Sequence, residues 1–151
     1  MVMAKSASSH SAGKEAKPKQ IYQTGKRKKA VAKVSVRPGS GKILINGTPI
    51  GNIKNNVLRL RIEEPFILAE TDEWKAYDFI ATVKGGGAMG QCEAARQAFA
   101  RSLISMLGDN VKQRFIEYDR NLVVYDPRRT EPHKPPHSSW GPRRYKQRSK
   151  R

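Results

Sequence analysis

The residues most able to do chemistry lie between Lys84 and Gly90. Gly85, Gly87 and Gly90 satisfy G-x-G-x-x-G between a predicted strand and a predicted helix, the context in which glycines let a backbone approach a dinucleotide pyrophosphate. That motif also needs an acid about twenty residues on, at the end of the next strand. Asp109 has the spacing but falls in a turn between helices, and no second βαβ half follows, so no cofactor is expected. Two readings remain. In one, Gly85, Gly86 and Gly87 only shape a tight strand-to-helix turn; in the other, N–H groups at the helix start, flanked by Lys84, hold a phosphate of an RNA backbone. His133 and His137 have a metal-binding helical spacing, but Pro135 and Pro136 between them forbid the helix, and no metal is expected. Cys92 is the only cysteine, which excludes an intramolecular disulfide and a multi-cysteine zinc site. A thiolate could be stabilised at the helix start it occupies, yet the three histidines all lie in the tails, and a small packed residue is the better reading. The acids are scattered, no nucleophile is paired with a base, and the chain does not read as an enzyme.

The strongest signal is cationic. The net charge is +17, and it is unevenly placed: residues 26–33 hold five cations and no acid, and 127–151 hold nine cations and one acid. Residues 34–126 hold twelve cations and eleven acids and are nearly neutral. Such a distribution suits an ordinary globular body that binds a polyanion by its extensions. Nucleic acid is the expected polyanion, since the tail has no amphipathic apolar face or lipidation signal for a membrane. No apolar run is long enough to span a bilayer, and the polar N-terminus is no secretory signal, so an intracellular chain is expected. The stretch Lys26-Arg27-Lys28-Lys29 is either a solvated charge run or a strand start that overhangs the sheet and meets phosphates. Residues 127–151 also hold five of the nine prolines, with Trp140 and Tyr145 among the cations. That segment cannot bury enough apolar surface to order alone.

The elements that must position these groups follow from periodicity. Residues 1–20 read as a disordered extension, 21–126 as one globular domain, and 127–151 as an extended basic tail. A first strand is expected from Ile21 to Arg37, with Ala30, Ala32, Val34 and Val36 on one face. Lys42–Ile45 returns as a strand, Asn46-Gly47 marks a hairpin, and Thr48–Ile50 continues as a short piece. Between Asn52 and Ala69 the pattern is helical but broken at Pro65, with Ile53, Val57 and Leu60 sharing a face. Tyr77–Lys84 is the clearest strand. The best helix runs from about Gln91 to Leu107, burying Ala95, Phe99, Ser102, Leu103 and Met106 with Glu93, Gln97 and Arg101 opposite. Asp109 can cap a further helix to Tyr118 with Val111 and Phe115 inward, and Leu122–Tyr125 is expected as a last strand. The fold class is α+β: a two-layer sandwich of a mostly antiparallel four-stranded sheet with helices on one face.

These stretches also carry a resemblance. Thr24-Gly25-Lys26-Arg27-Lys28 with Ala30 and Ala32, Ile45-Asn46-Gly47, Glu64-Pro65-Phe66-Ile67-Leu68 and Val83-Lys84-Gly85-Gly86-Gly87 resemble the small-subunit ribosomal protein S9 family. So do Gly90-Gln91, Glu93-Ala94-Ala95-Arg96, Ala98, Ala100-Arg101 and Leu103; Tyr118-Asp119-Arg120 and Asp126 through Pro135 point to its archaeal and eukaryotic branch. The resemblance implies a left-handed βαβ type of fold and a place in the head of the small subunit, beside neighbouring head proteins and not as an obligate homo-oligomer. It implies that small-subunit rRNA is bound by Lys26, Arg27, Lys28, Lys29, Lys84, Gly85, Gly86 and Gly87, and along the tail by Arg128, Arg129, Lys134, Arg143, Arg144, Tyr145 and Lys146. Lys150 and Arg151, with Arg148 near, would contact peptidyl-site tRNA.

Overall fold

In the computed structural model, the described residues are 20–133 and Pro142. The body is a five-stranded sheet with three helices. In chain order come β1 (Ile21–Arg27), β2 (Ala30–Pro38), β3 (Ile43–Ile45), β4 (Thr48–Pro49), α1 (Asn56–Leu68), β5 (Tyr77–Lys84), α2 (Ala88–Leu107) and α3 (Asp109–Tyr118). The sheet order is β1-β2-β5-β3-β4. All neighbours are antiparallel except β3 and β5, which run parallel across the α1 connection. The α+β class expected from the sequence is therefore correct, with five strands in place of four.

The alternation along β2 and β5 decides which face is inward. Ala30, Ala32, Val34 and Val36 are buried together with Phe79, Ala81 and Val83, because side chains two apart share a sheet face. Against them α2 packs Ala95, Ala98, Phe99 and Leu103, all essentially inaccessible. Phe66 of α1 completes the core, with its ring centroid 5.1 Å from Phe79, edge on, and 5.4 Å from Phe99. Asn46 (φ 49°) and Gly47 (φ 81°) form the expected hairpin turn. Asn46 also pairs with β5 through its side chain, accepting from Val83 N–H (2.8 Å) and donating to the Val83 carbonyl (3.1 Å).

Three expectations about the elements need correcting. The segment 21–37 is two strands, β1 and β2, paired antiparallel with Arg27 opposite Ala30, so Lys28-Lys29 is a turn inside what read as one strand. Pro65 does not break α1. It stands one turn from the helix end, where few backbone bonds follow it, and its ring is fully buried, which offsets the missing N–H. The helix buries Ile62, Pro65 and Phe66, and the face that Val57 and Leu60 share is exposed; the Phe66 ring cluster sets the rotation. Finally, residues 122–125 form no strand: a 3-10 turn at Arg120–Leu122 leads into chain whose carbonyls are taken by side chains of α2.

Candidate nucleic-acid interface

Period two along β1 assigns different work to adjacent cations. Ile21, Gln23, Gly25 and Arg27 face α2, whereas Tyr22, Thr24 and Lys26 face solvent. Gly25 has no alternative on that inner face. A Cβ there would stand 2.1 Å from the Ala94 carbonyl oxygen and 2.7 Å from Ala98 N, both backbone atoms of α2. The close approach brings the β1–β2 turn down beside the start of α2. Lys26, Lys28 and Lys29 are exposed at that turn, and Lys28 takes φ 52°, a conformation that costs a non-glycine residue on the order of 1–2 kcal/mol.

The glycine turn packs onto this tip. Gly85 (φ 77°) and Gly86 (φ 67°) are left-handed, and a Cβ on Gly85 would meet the Lys29 carbonyl oxygen at 2.6 Å. Gly87 begins α2 with no side chain capping the helix, so the positive end of the helix dipole lies next to Lys84 and the lysine tip. Lys84 is exposed and pairs in register with Val31.

The root of the tail reaches the same end of the body. Gln97 is buried, not solvated as its helical position suggested. Its Nε2 donates to the carbonyls of Asn121 (3.2 Å) and Val124 (2.8 Å), and its Oε1 accepts from Lys26 N–H (2.9 Å). Arg101 does the same one turn on, donating to the Val123 carbonyl from Nε (3.1 Å) and Nη2 (2.9 Å) and to the Thr24 carbonyl from Nη1 (2.8 Å). These two side chains staple β1 and residues 121–124 to one face of α2, supplying the backbone partners that a strand neighbour would otherwise give. Beside them Arg96 is buried against Glu64 (2.5 Å), Asp119 (2.9 Å) and Glu93 (3.5 Å), joining all three helices. Burial opposes ionisation of both Arg96 and Asp119, and their mutual hydrogen bond, with Asn121 N–H on Asp119, more than offsets it: the arginine moves up and the carboxyl down.

Chain leaves the body at Asp126, a residue 9% exposed. Arg128 grips its carboxylate through Nε (2.9 and 3.0 Å), Nη2 (2.6 Å) and its own backbone N–H (2.9 Å). Arg27 reaches the same carboxylate at 2.6 Å. The Arg128 side chain and N–H, then the Arg27 charge, hold the Asp126 carboxyl down at about 2. A depressed carboxyl stabilises the fold at any pH above its unfolded value near 3.9, and that contribution is lost as pH falls through about 2. Across neutral pH the clamp is therefore expected to be constant. NMR titration of the Arg128 Nε–H should show it protected down to about pH 3, with release between pH 5 and 8 the contrary result. Arg129 sits over the Tyr125 ring at 5.1 Å.

The structure thus gathers Lys26, Arg27, Lys28, Lys29, Lys84, Gly85, Gly86, Gly87 and Arg128 at one end, with Arg129 adjoining through Tyr125. Lys134, Arg143, Arg144, Tyr145, Lys146, Arg148, Lys150 and Arg151 lie outside the described residues. Gly25, Gln97, Arg101 and Asp126 were not expected as organisers. The available signal was Gln97 and Arg101, polar side chains four residues apart on an alanine-rich helix, and an acid just before a basic run. Cys92 is buried and donates to the Leu58 carbonyl (3.5 Å); burial, then the Glu93 charge, push its thiol up to about 11, which suits packing and not nucleophilic attack.

Comparisons with known proteins identify the family. The family model described as ribosomal protein S9/S16 matches residues 25–151. The chain belongs to the ribosomal protein S9 family. Among its relatives are the small ribosomal subunit protein uS9 of Methanococcus vannielii, 42% identical, and that of Methanococcus maripaludis, 40% identical; each alignment covers 88% of this chain and 99% of the relative. As an archaeal-type S9 family member, the chain is a structural constituent of the small ribosomal subunit and not an enzyme. The match begins at Gly25, the glycine that seats β1 on α2, and includes the cationic tip, the glycine turn and the whole tail.

Proposed function

We propose that the chain binds small-subunit rRNA through the basic end of its body and through the tail that leaves from the same place. Residues 21–126 set position, and 127–151 follow the RNA; the extension 1–20 has no assigned part. Lys26, Lys28, Lys29 and Lys84 face phosphates, and the N–H groups around Gly85, Gly86 and Gly87 donate to one at the uncapped start of α2. Arg27 and Arg128 act first on Asp126, aiming the tail, with Arg128 still 74% exposed for an outside contact. Along the tail Arg129, Lys134, Arg143, Arg144 and Lys146 neutralise phosphates, while Tyr145 and Trp140 can stack on bases. Arg148, Lys150 and Arg151 are left to reach peptidyl-site tRNA. The observation that carries this reading is the convergence of cationic tip, glycine turn and tail root at one end of a body whose charge is otherwise balanced.

The test is sedimentation of the tagged chain in a high-magnesium gradient, where it should travel with small subunits. A chain that stays at the top of the gradient contradicts the reading. Removing residues 149–151 should leave co-sedimentation intact and lower the affinity of those subunits for peptidyl-site tRNA; unchanged affinity speaks against the assignment of the tip.

The strain at the tip adds a sharper expectation. Lys28→Gly relieves the positive φ and should raise stability by up to about 1 kcal/mol, while removing one phosphate contact and lowering the salt slope of rRNA binding by roughly 1. Thermal melting and a salt series on the same variant check both signs. A stabilised variant with undiminished RNA binding would place Lys28 away from the phosphates.

A further inference from the structure

The outer face of α1 carries a second apolar stripe that the body does not use. Val57, Leu60 and Ile67 lie at i, i+3 and i+10 on the helix and are 59%, 55% and 67% exposed. Tyr118 of α3 is 58% exposed beside them and bonded through its hydroxyl to Glu64, the stripe's i+7 position, at 2.5 Å. Leu60, Ile67 and Tyr118 line an open groove of about 710 Å³ between α1 and α3. The helical period that puts Val57 and Leu60 on one face is real, but no described part of this chain covers that face.

Charge says what does not lie there. Arg61 and Arg96 line the groove, Arg59 and Arg114 stand on α1 and α3, and each is already engaged by a carboxylate: Glu93 (2.8 Å), Glu64 (2.5 Å), Glu63 (3.7 Å) and Glu70 (3.0 Å) in that order. An apolar ridge bordered by neutralised arginines has little to offer a phosphate backbone. Area decides between protein occupants. The four side chains expose on the order of 400 Å², about half of the roughly 800 Å² per partner that a stable free complex buries. A contact of that size does not hold two free copies together, but it holds a neighbour already tethered to the same RNA at high effective concentration.

We propose that this face is a docking surface for an apolar segment of a neighbouring protein within the small subunit. The proposal rests on the reading of the chain as a small-subunit component. The experiment replaces Ile67, in the full chain, with a photoreactive phenylalanine analogue, purifies small subunits carrying it, irradiates them and identifies adducts by mass spectrometry. One small-subunit protein should be captured, and Leu60→Glu in the same chain should lower that yield about tenfold, equivalent to about 1.4 kcal/mol of contact. Melting temperature and binding to naked rRNA should stay unchanged by Leu60→Glu, since the residue points to solvent. Adducts with rRNA, with a second copy, with this chain's own extensions, or with nothing would overturn the proposal while co-sedimentation stood. Loss of co-sedimentation by the unsubstituted chain would instead overturn the functional reading together with it.

Discussion

Raising the salt from 50 to 200 mM is expected to weaken binding of the full chain to naked small-subunit rRNA by on the order of a thousandfold or more. The size follows from counterion release: six to ten phosphate contacts give a log–log slope of roughly −5 to −9. The cations are available in two groups. Lys26, Lys28, Lys29 and Lys84 stand at the tip of the body, and seven more lie between 130 and 151. Removing residues 130–151 leaves Arg128 on Asp126 and keeps the body's staples, so only the second group is lost. The slope should then fall to about −3 to −4, leaving roughly a hundredfold loss over the same salt range. Anisotropy with labelled rRNA across a salt series measures both slopes. An unchanged slope after truncation would remove the tail from the phosphate contacts, and a flat response in the full chain would exclude electrostatic binding altogether.

Gly25→Ala should be the most damaging single methyl in the body. The new Cβ would stand 2.1 Å from the Ala94 carbonyl oxygen, and neither that atom nor Ala98 N belongs to a side chain that can turn away. β1 must lift from α2, opening the seam that Gln97 and Arg101 bridge. Overpacking against fixed backbone costs roughly 3 kcal/mol or more, a large share of the 5–15 kcal/mol typical of a domain, and the melting temperature should drop by roughly 10–20 °C. Gly87→Ala is the matched control. No atom lies within 4 Å of its built Cβ and its φ is −102°, so it should change stability by no more than about 0.5 kcal/mol. Equal melting temperatures for the two variants would mean that β1 does not seat on α2 as described. Because the same seam positions Lys26 and Arg27, Gly25→Ala should also weaken rRNA binding at temperatures where the body is still folded.

What the chain discloses before folding depends on how local the determinant is. Period two at Ala30–Val36 and at Tyr77–Val83 survives directly in the sheet, and Asn46-Gly47 forms its hairpin because both residues accept positive φ. The turn at Lys28-Lys29 was not legible, because lysine has no turn preference; the pairing of Arg27 with Ala30 imposes the conformation. The stretch Leu122–Tyr125 has strand composition but finds side chains of α2 as its partners, a long-range fact that no window of sequence contains. Val57 and Leu60 show the converse: their period puts them on one helical face, but not which way that face turns, and it lies open on α1. For the candidate site, the cations of the tip and the glycine turn were legible as residue types. Their convergence was not, since it depends on Gly25, on the polar face of α2, and on Asp126 drawing Arg27 and Arg128 to one carboxylate.

The most direct test of the basic end is site-specific photocrosslinking from Lys29 and from Lys84 in small subunits purified with the full chain. Lys29 stands in the β1–β2 turn and Lys84 ends β5, yet Gly85 packs on the Lys29 carbonyl, so both should capture rRNA, and at overlapping sites. Crosslinks from both positions only to protein, or to widely separated parts of the rRNA, would contradict a single phosphate-binding end.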